Sequence, residues 1–101
     1  MNYTAEQVVE AADKLRTVIE MPGITHYEIE LYNNFPNSSA HELIGLGMVA
    51  LAEHGPMALW RTLAYDGNLL WEVEDFGEYP TPLEAVVAAC VAVLPKKDKQ
   101  Q

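Results

Sequence analysis

A chain of 101 residues is long enough for one domain and too short for two. Half of its residues are apolar, which excludes a disordered chain. The formal charge of −9, from 15 acidic and 6 basic side chains, repels phosphate and argues against direct nucleic-acid binding. The longest apolar run, 85–94, falls far short of the roughly 20 residues a membrane span needs, so no membrane association is expected.

The first residues, Met1-Asn2-Tyr3-Thr4-Ala5-Glu6, have neither a basic start nor an apolar run, and the one cysteine, Cys90, has no partner for an internal disulfide. Both features fit a reducing, cytoplasmic setting. Thr4-Ala5-Glu6-Gln7 is a capping box, in which the threonine hydroxyl accepts the Gln7 amide and the Gln7 side chain reaches back. The apolar positions Val8, Ala11, Ala12, Leu15, Val18 and Ile19 follow at helical spacing, so a helix is expected over about 5–20, ended by Pro22-Gly23. Tyr27, Ile29 and Leu31 then alternate with Glu28, Glu30 and Tyr32, the pattern of a half-buried strand. Residues 33–38 read as the longest irregular loop.

Ser39-Ala40-His41-Glu42 repeats the capping-box pattern and predicts a second helix over about 40–54, stopped at Gly55-Pro56. Gly45 and Gly47 weaken that helix by about 1 kcal/mol each relative to alanine, so either they permit close packing or the helix begins later. From Leu59 to Phe76 two apolar-rich runs flank Asp66-Gly67, the signal of a two-residue hairpin turn. That turn pairs Arg61 with Glu72 and Trp60 with Val73. It gathers Trp60, Thr62, Ala64, Leu69, Trp71 and Val73 on a core face, and Leu59, Arg61, Leu63, Tyr65, Leu70, Glu72 and Glu74 on a mixed face. Thr81-Pro82-Leu83-Glu84 opens a third helix over about 82–94, with proline where no amide donor is needed. This helix has no polar face. It is either sandwiched centrally or covered in part by another chain.

The expected fold is therefore α+β: helix, strand, helix, hairpin, helix, with a small, mainly antiparallel three-stranded sheet packed against the helices. One domain spans 1–95 and a flexible basic tail 96–101.

The motifs of catalysis are incomplete. His41-Glu42-Leu43-Ile44-Gly45 has glycine where a zinc-binding helix needs its second histidine, and His54 lies too far along the same helix to share a metal. Cys90 sits in the most apolar segment, where a thiol is inert. Ser39 is accounted for as a cap, and Gly45 and Gly47 lack the context of a phosphate loop. The glutamate pairs 28/30 and 72/74 resemble a glycosidase pair only in spacing, since a chain this short has little material for a deep cleft. No catalytic residue, metal or cofactor is expected.

The charge map is more informative. Arg61 is the one basic side chain between Arg16 and Lys96, against eleven acids in the same stretch. Glu72, Glu74, Asp75 and Glu78 follow the hairpin closely. Such a surface attracts a basic protein surface, including one that holds nucleic acid. It also keeps a small protein soluble, and both readings stand. Tyr32, Phe35, Tyr65 and Tyr79 fall at element ends. With Leu63, Leu70 and Arg61 they form a candidate partner patch, unless another helix covers them.

Trp71-Glu72-Val73-Glu74, a short acidic loop, then Tyr79-Pro80-Thr81-Pro82-Leu83-Glu84-Ala85-Val86 and a helix rich in alanine, valine and cysteine resembles the C-terminal half of small phage-encoded proteins of the phage ABA sandwich kind. The resemblance covers about a third of the chain. It implies a phage accessory protein in the host cytoplasm, of a class that includes anti-CRISPRs and other inhibitors that occupy nucleic-acid-binding surfaces. The expected function is a non-catalytic acidic binder of a basic protein surface, with Glu72, Glu74, Asp75, Glu78, Arg61, Tyr65, Leu63 and Leu70 as contact residues. The alternatives are a homo-oligomeric accessory protein, such as a homodimer through the last helix or the mixed hairpin face, and a small enzyme.

Overall fold

The computed structural model describes residues 2–21, 26–55, 58–63 and 67–97. Among them the order is α1 (Ala5–Arg16), α2 (His26–Asn34), α3 (Pro36–Ala52), β1 (Leu59–Leu63), β2 (Leu69–Val73), β3 (Glu78–Tyr79) and α4 (Pro82–Val93). The α+β class holds. No helix among the described residues is long and apolar enough to cross a membrane.

Two helix starts form as read. The Gln7 amide donates to the Thr4 hydroxyl at 3.2 Å, and the Gln7 side chain accepts from the Thr4 amide at 2.8 Å. At α4 the Glu84 amide donates to the Thr81 hydroxyl at 3.1 Å, with Pro82 in the first turn. Helix α1 ends earlier than expected. The Thr17 hydroxyl and amide both turn back onto the Lys14 carbonyl, which closes the last turn before the β-branched Val18 and Ile19. Pro22-Gly23 lies outside the described residues.

The second start is corrected. Helix α3 begins at Pro36, and Ser39 is a buried residue of its first turn whose hydroxyl donates to the Phe35 carbonyl at 2.9 Å. Proline at the first helical position is the operative signal here, as it is at Pro82. The expected loop over 33–38 is therefore two helix ends separated by Phe35 alone.

The expected strand over 27–32 is also corrected, because these residues are helical. Six residues are too few to separate a period of 2 from one of 3.6, and glutamate favours helix over strand. The helical phase buries Tyr32 and half-buries Glu28 and Leu31, while Tyr27 and Ile29 face outward. His26 and Glu30, four residues apart, pair at 3.3 Å on the exposed face. Helix α2 packs on α1 and α3.

The sheet therefore does not include residues 27–32. The sheet is the antiparallel β1–β2 hairpin, with the two-residue β3 bridging the other edge of β2. The hairpin register is one residue away from the expected one. Leu59 pairs with Val73, Trp60 with Glu72, Arg61 with Trp71, Thr62 with Leu70 and Leu63 with Leu69. The connection is therefore five residues, 64–68, and not two. Three of these, Ala64, Tyr65 and Asp66, lie outside the described residues. A one-residue slip exchanges faces. Val73 is fully buried and Trp71 partly so, as read, but they are paired with Leu59 and Arg61. Leu59 then packs on the core opposite Val73, an apolar pair that the two-residue turn would have separated.

Helix α4 is the centre of the molecule. It contacts α1, α3 and all three strands, and Leu83, Ala85, Val86, Val87, Ala89 and Cys90 are buried. Gly47 of α3 lies directly on it. The Cys90 thiol donates to the Gly47 carbonyl at 3.5 Å, and a Cβ on Gly47 would collide with Val86 Cγ1. Tyr3 joins three helix starts. Its amide donates to Asn37 Oδ1 at 2.7 Å, its ring stands edge-on to His41, and its hydroxyl accepts from the Leu83 amide at 3.4 Å.

The two helix glycines therefore differ. Gly45 has nothing within 4 Å of its would-be Cβ. Gly45→Ala is expected to raise the unfolding free energy in urea by up to about 1 kcal/mol through helix propensity. Gly47→Ala is expected to lower it by about 1–3 kcal/mol, because Val86 is fully buried and stiff about its Cα–Cβ bond.

Candidate functional site

The acidic group is held on a defined turn. Strand β2 runs into Glu74, whose amide donates to the Ala58 carbonyl at 3.4 Å and so extends the ladder. The Phe76 amide closes the turn onto the Val73 carbonyl at 3.1 Å, and the Phe76 ring packs against the core. Tyr79 lies over Gly77, where a Cβ would come within 3.1 Å of its ring. An aromatic anchor on each side thus fixes the turn that carries Glu74 and Asp75.

Two features of this turn oppose stability. Glu74 adopts a left-handed backbone with φ of 50°, a conformation that favours glycine or asparagine. Glu72 and Glu78 are direct cross-strand partners between β2 and β3, and like charges in that relation destabilise a sheet. Asp75 and Glu78 are exposed, Glu72 and Glu74 half-buried.

The remaining expected contact residues do not all gather here. The Arg61 guanidinium stands over the Trp71 ring, 5.5 Å from its centroid, and its cross-strand partner is Trp71 and not Glu72. Leu70 is half-buried and alternates with Trp71 along β2, so it lies on the opposite face of the strand. Leu63 is paired with Leu69 at the far end of the hairpin, and Tyr65 lies outside the described residues. The aromatic patch also divides. Tyr32 is in the core, Phe35 is exposed between α2 and α3, and Tyr79 covers Gly77.

A second feature went unread in the sequence. A groove of about 770 Å³ lies between α1 and α4. Ala11, Val87, Ala88, Val91 and Ala92 contribute its apolar lining, and Gln7, Glu10, Lys14, Glu84 and Lys96 its polar lining. Tyr3 meets Leu83 at one end, and the Lys97 amide donates to the Thr17 carbonyl at 2.8 Å at the other. The two helices therefore run parallel. Both N-termini carry an acid in the first turn, Glu6 and Glu84, and lysines lie at or just beyond both C-termini. This is the favourable sense for each helix dipole. The signal in the sequence was the spacing of Gln7, Glu10 and Lys14 on one helix and of Glu84, Ala88 and Ala92 on the other.

The histidines are dispersed. His26 pairs with Glu30, His41 meets the Tyr3 ring, and His54 is exposed beyond α3. Among the described residues no three histidine, cysteine or acidic side chains are grouped to hold a metal ion. Burial pushes the Cys90 thiol up to about 11, which leaves it protonated and unreactive at neutral pH. Burial also raises Tyr3 and Tyr32 above the ordinary tyrosine value.

Comparison with protein-family models, curated proteins and solved structures finds no match to this chain.

The thiol shift has a measurable consequence. The native state holds the Cys90 proton up to about pH 11, whereas the unfolded chain releases it near 9. Stability from this group is complete below pH 9 and is lost as pH rises to about 11, by an amount on the order of 2 kcal/mol. Urea titrations from pH 8 to 11 should show this fall, and Cys90→Ala should flatten that part of the profile whatever its effect on absolute stability.

Proposed function

We propose that this chain is a non-catalytic binding protein that presents the β2–β3 turn, with Glu72, Glu74, Asp75 and Glu78, to a basic surface on a protein partner. The observation that carries the reading is the combination of strain and repulsion at one anchored turn. A glutamate occupies a left-handed position, and a glutamate faces a glutamate across the strands. Solubility alone does not account for either choice, since an acid one position away would serve as well at lower local cost. Local choices that oppose stability concentrate where a surface serves recognition. A rigid turn also loses little conformational freedom on binding.

The resemblance of residues 71–86 to phage accessory proteins extends the proposal. On that reading the partner is a host-defence complex in the cytoplasm of the host cell. The acidic turn covers a surface that otherwise holds nucleic acid, as an anti-CRISPR-type inhibitor does. The incomplete metal and nucleophile motifs and the inert thiol support binding over catalysis.

Affinity capture from the host with mass spectrometry identifies the partner, and titration calorimetry against that purified partner then tests the site. Asp75→Lys with Glu78→Lys should weaken binding at least about tenfold, and the wild-type affinity should fall steeply between about 0.05 and 0.3 M salt. Equal binding by the double variant would overturn the proposal. Glu78→Lys alone should stabilise the fold by about 0.2–1 kcal/mol, because it turns a like-charged cross-strand pair into an opposite-charged one.

A further inference from the structure

The groove between α1 and α4 reaches Tyr79, an anchor of the acidic turn, at one end, but the proposed function uses none of the helix residues that line it. Its lining is ordered by charge along the helix axes. Glu84 stands towards the end marked by Tyr3, Lys96 towards the end marked by Thr17, and small apolar residues lie between them. Val91 is 40% exposed there and Ala92 is also exposed, although both belong to the most apolar helix of the chain.

We propose that this groove is a homodimer interface in which a second copy of the chain docks antiparallel, placing Glu84 of each copy against Lys96 of the other.

The groove is self-complementary in charge, with Glu84 at one end and Lys96 at the other. Within α4, Ala88 and Ala92 lie equally far on either side of Cys90. A twofold axis crossing α4 at that level brings Ala88 to Ala92, and the antiparallel sense sets the Glu84 end of each groove against the end where Lys96 lies beyond the helix. That is the isologous contact of a symmetric dimer. Alanines at the crossing let the helix axes approach closely, and the Val91 side chains become covered. The helix dipoles favour the same geometry. Within one copy α1 and α4 are parallel, and an antiparallel second pair sets N-termini beside C-termini.

The exposed apolar face of α3 lacks this property. On α3, Leu46 and Val49 lie between Glu42 and Glu53, all exposed. An antiparallel copy there would bring acid against acid, so that face does not recognise itself. The α1–α4 face has the opposite charge at each end, which makes a second copy the fitting occupant.

Sedimentation equilibrium with light scattering, at about 0.15 M salt, tests the inference under conditions that screen the long-range repulsion between two chains of charge −9. The wild type is expected to show a concentration-dependent monomer–dimer equilibrium. Lys96→Glu and Ala92→Arg, both at exposed positions, should each weaken dimerisation at least about tenfold with unchanged far-ultraviolet circular dichroism. Glu84→Lys combined with Lys96→Glu should recover most of the loss, because the swap restores opposite charges. Val49→Lys on α3 should leave the equilibrium unmoved. A monomer at every concentration up to about 1 mM, a dissociation constant so weak that it corresponds to only about 4 kcal/mol, overturns the inference. So does a dimer that tolerates Lys96→Glu and Ala92→Arg, or one that Lys96→Glu weakens and the charge swap leaves weak.

Discussion

Helix α4 has no polar face, and the rest of the chain is arranged to cover it. Burying Leu83, Val86 and Val87 contributes about 1.5–3 kcal/mol each, and Ala85, Ala89 and Cys90 add smaller amounts, so this one helix supplies a large share of the core of a domain this small. Three different surfaces supply the cover. Helix α3 approaches through the bare backbone of Gly47, α1 lies parallel on one flank, and the hairpin contributes Val73 and Leu59. The parallel run of α1 and α4 aligns their dipoles unfavourably, and acids at the N-termini with lysines at the C-termini offset part of that. Tyr3 keeps the starts of α1, α3 and α4 together with two hydrogen bonds and one ring contact.

Among the described residues this cover leaves a strip of α4 beside α1 without a neighbour. The same strip has an ordered charge pattern. The acidic turn is governed differently, because Phe76 and Tyr79 anchor it to the core that α4 organises while its carboxylates stay at the surface. One apolar helix thus accounts for both features. It immobilises a turn that is locally unfavourable, and it exposes a small-residue face at its own margin. The stability of the core is what allows Glu74 and the Glu72–Glu78 pair to persist.

The legible parts of the fold were those encoded within one helical turn. Thr4 with Gln7, and Thr81 with Glu84 and Pro82, are contacts three residues apart, so no distant partner decides them. Ser39 has the same local code but was overridden. Pro36 starts α3 one turn earlier, and the serine then lies inside the helix, bonded to the Phe35 carbonyl. Of the candidate site, the acidic residues after the hairpin were visible as composition. Their pairing across β2 and β3, the left-handed Glu74 and the separation of Leu70 from Arg61 were not, because each depends on register.

The sequence alone determined the α+β class, two helix starts, the existence of a hairpin, the inert burial of Cys90 and the apolar character of α4. These follow from local capping, turn chemistry and the length of an apolar run. Only the tertiary structure decided that residues 26–34 are helical, since Tyr32 is buried against α1 and α3 and six alternating residues do not settle a period. It alone decided the hairpin register, since Leu59 gains a place opposite Val73 that Asp66-Gly67 by itself does not specify. It also decided which side of α4 stays uncovered. That depends on where α1 and α3 dock, a choice made by Gly47 and Tyr3 through contacts more than forty residues apart in the chain.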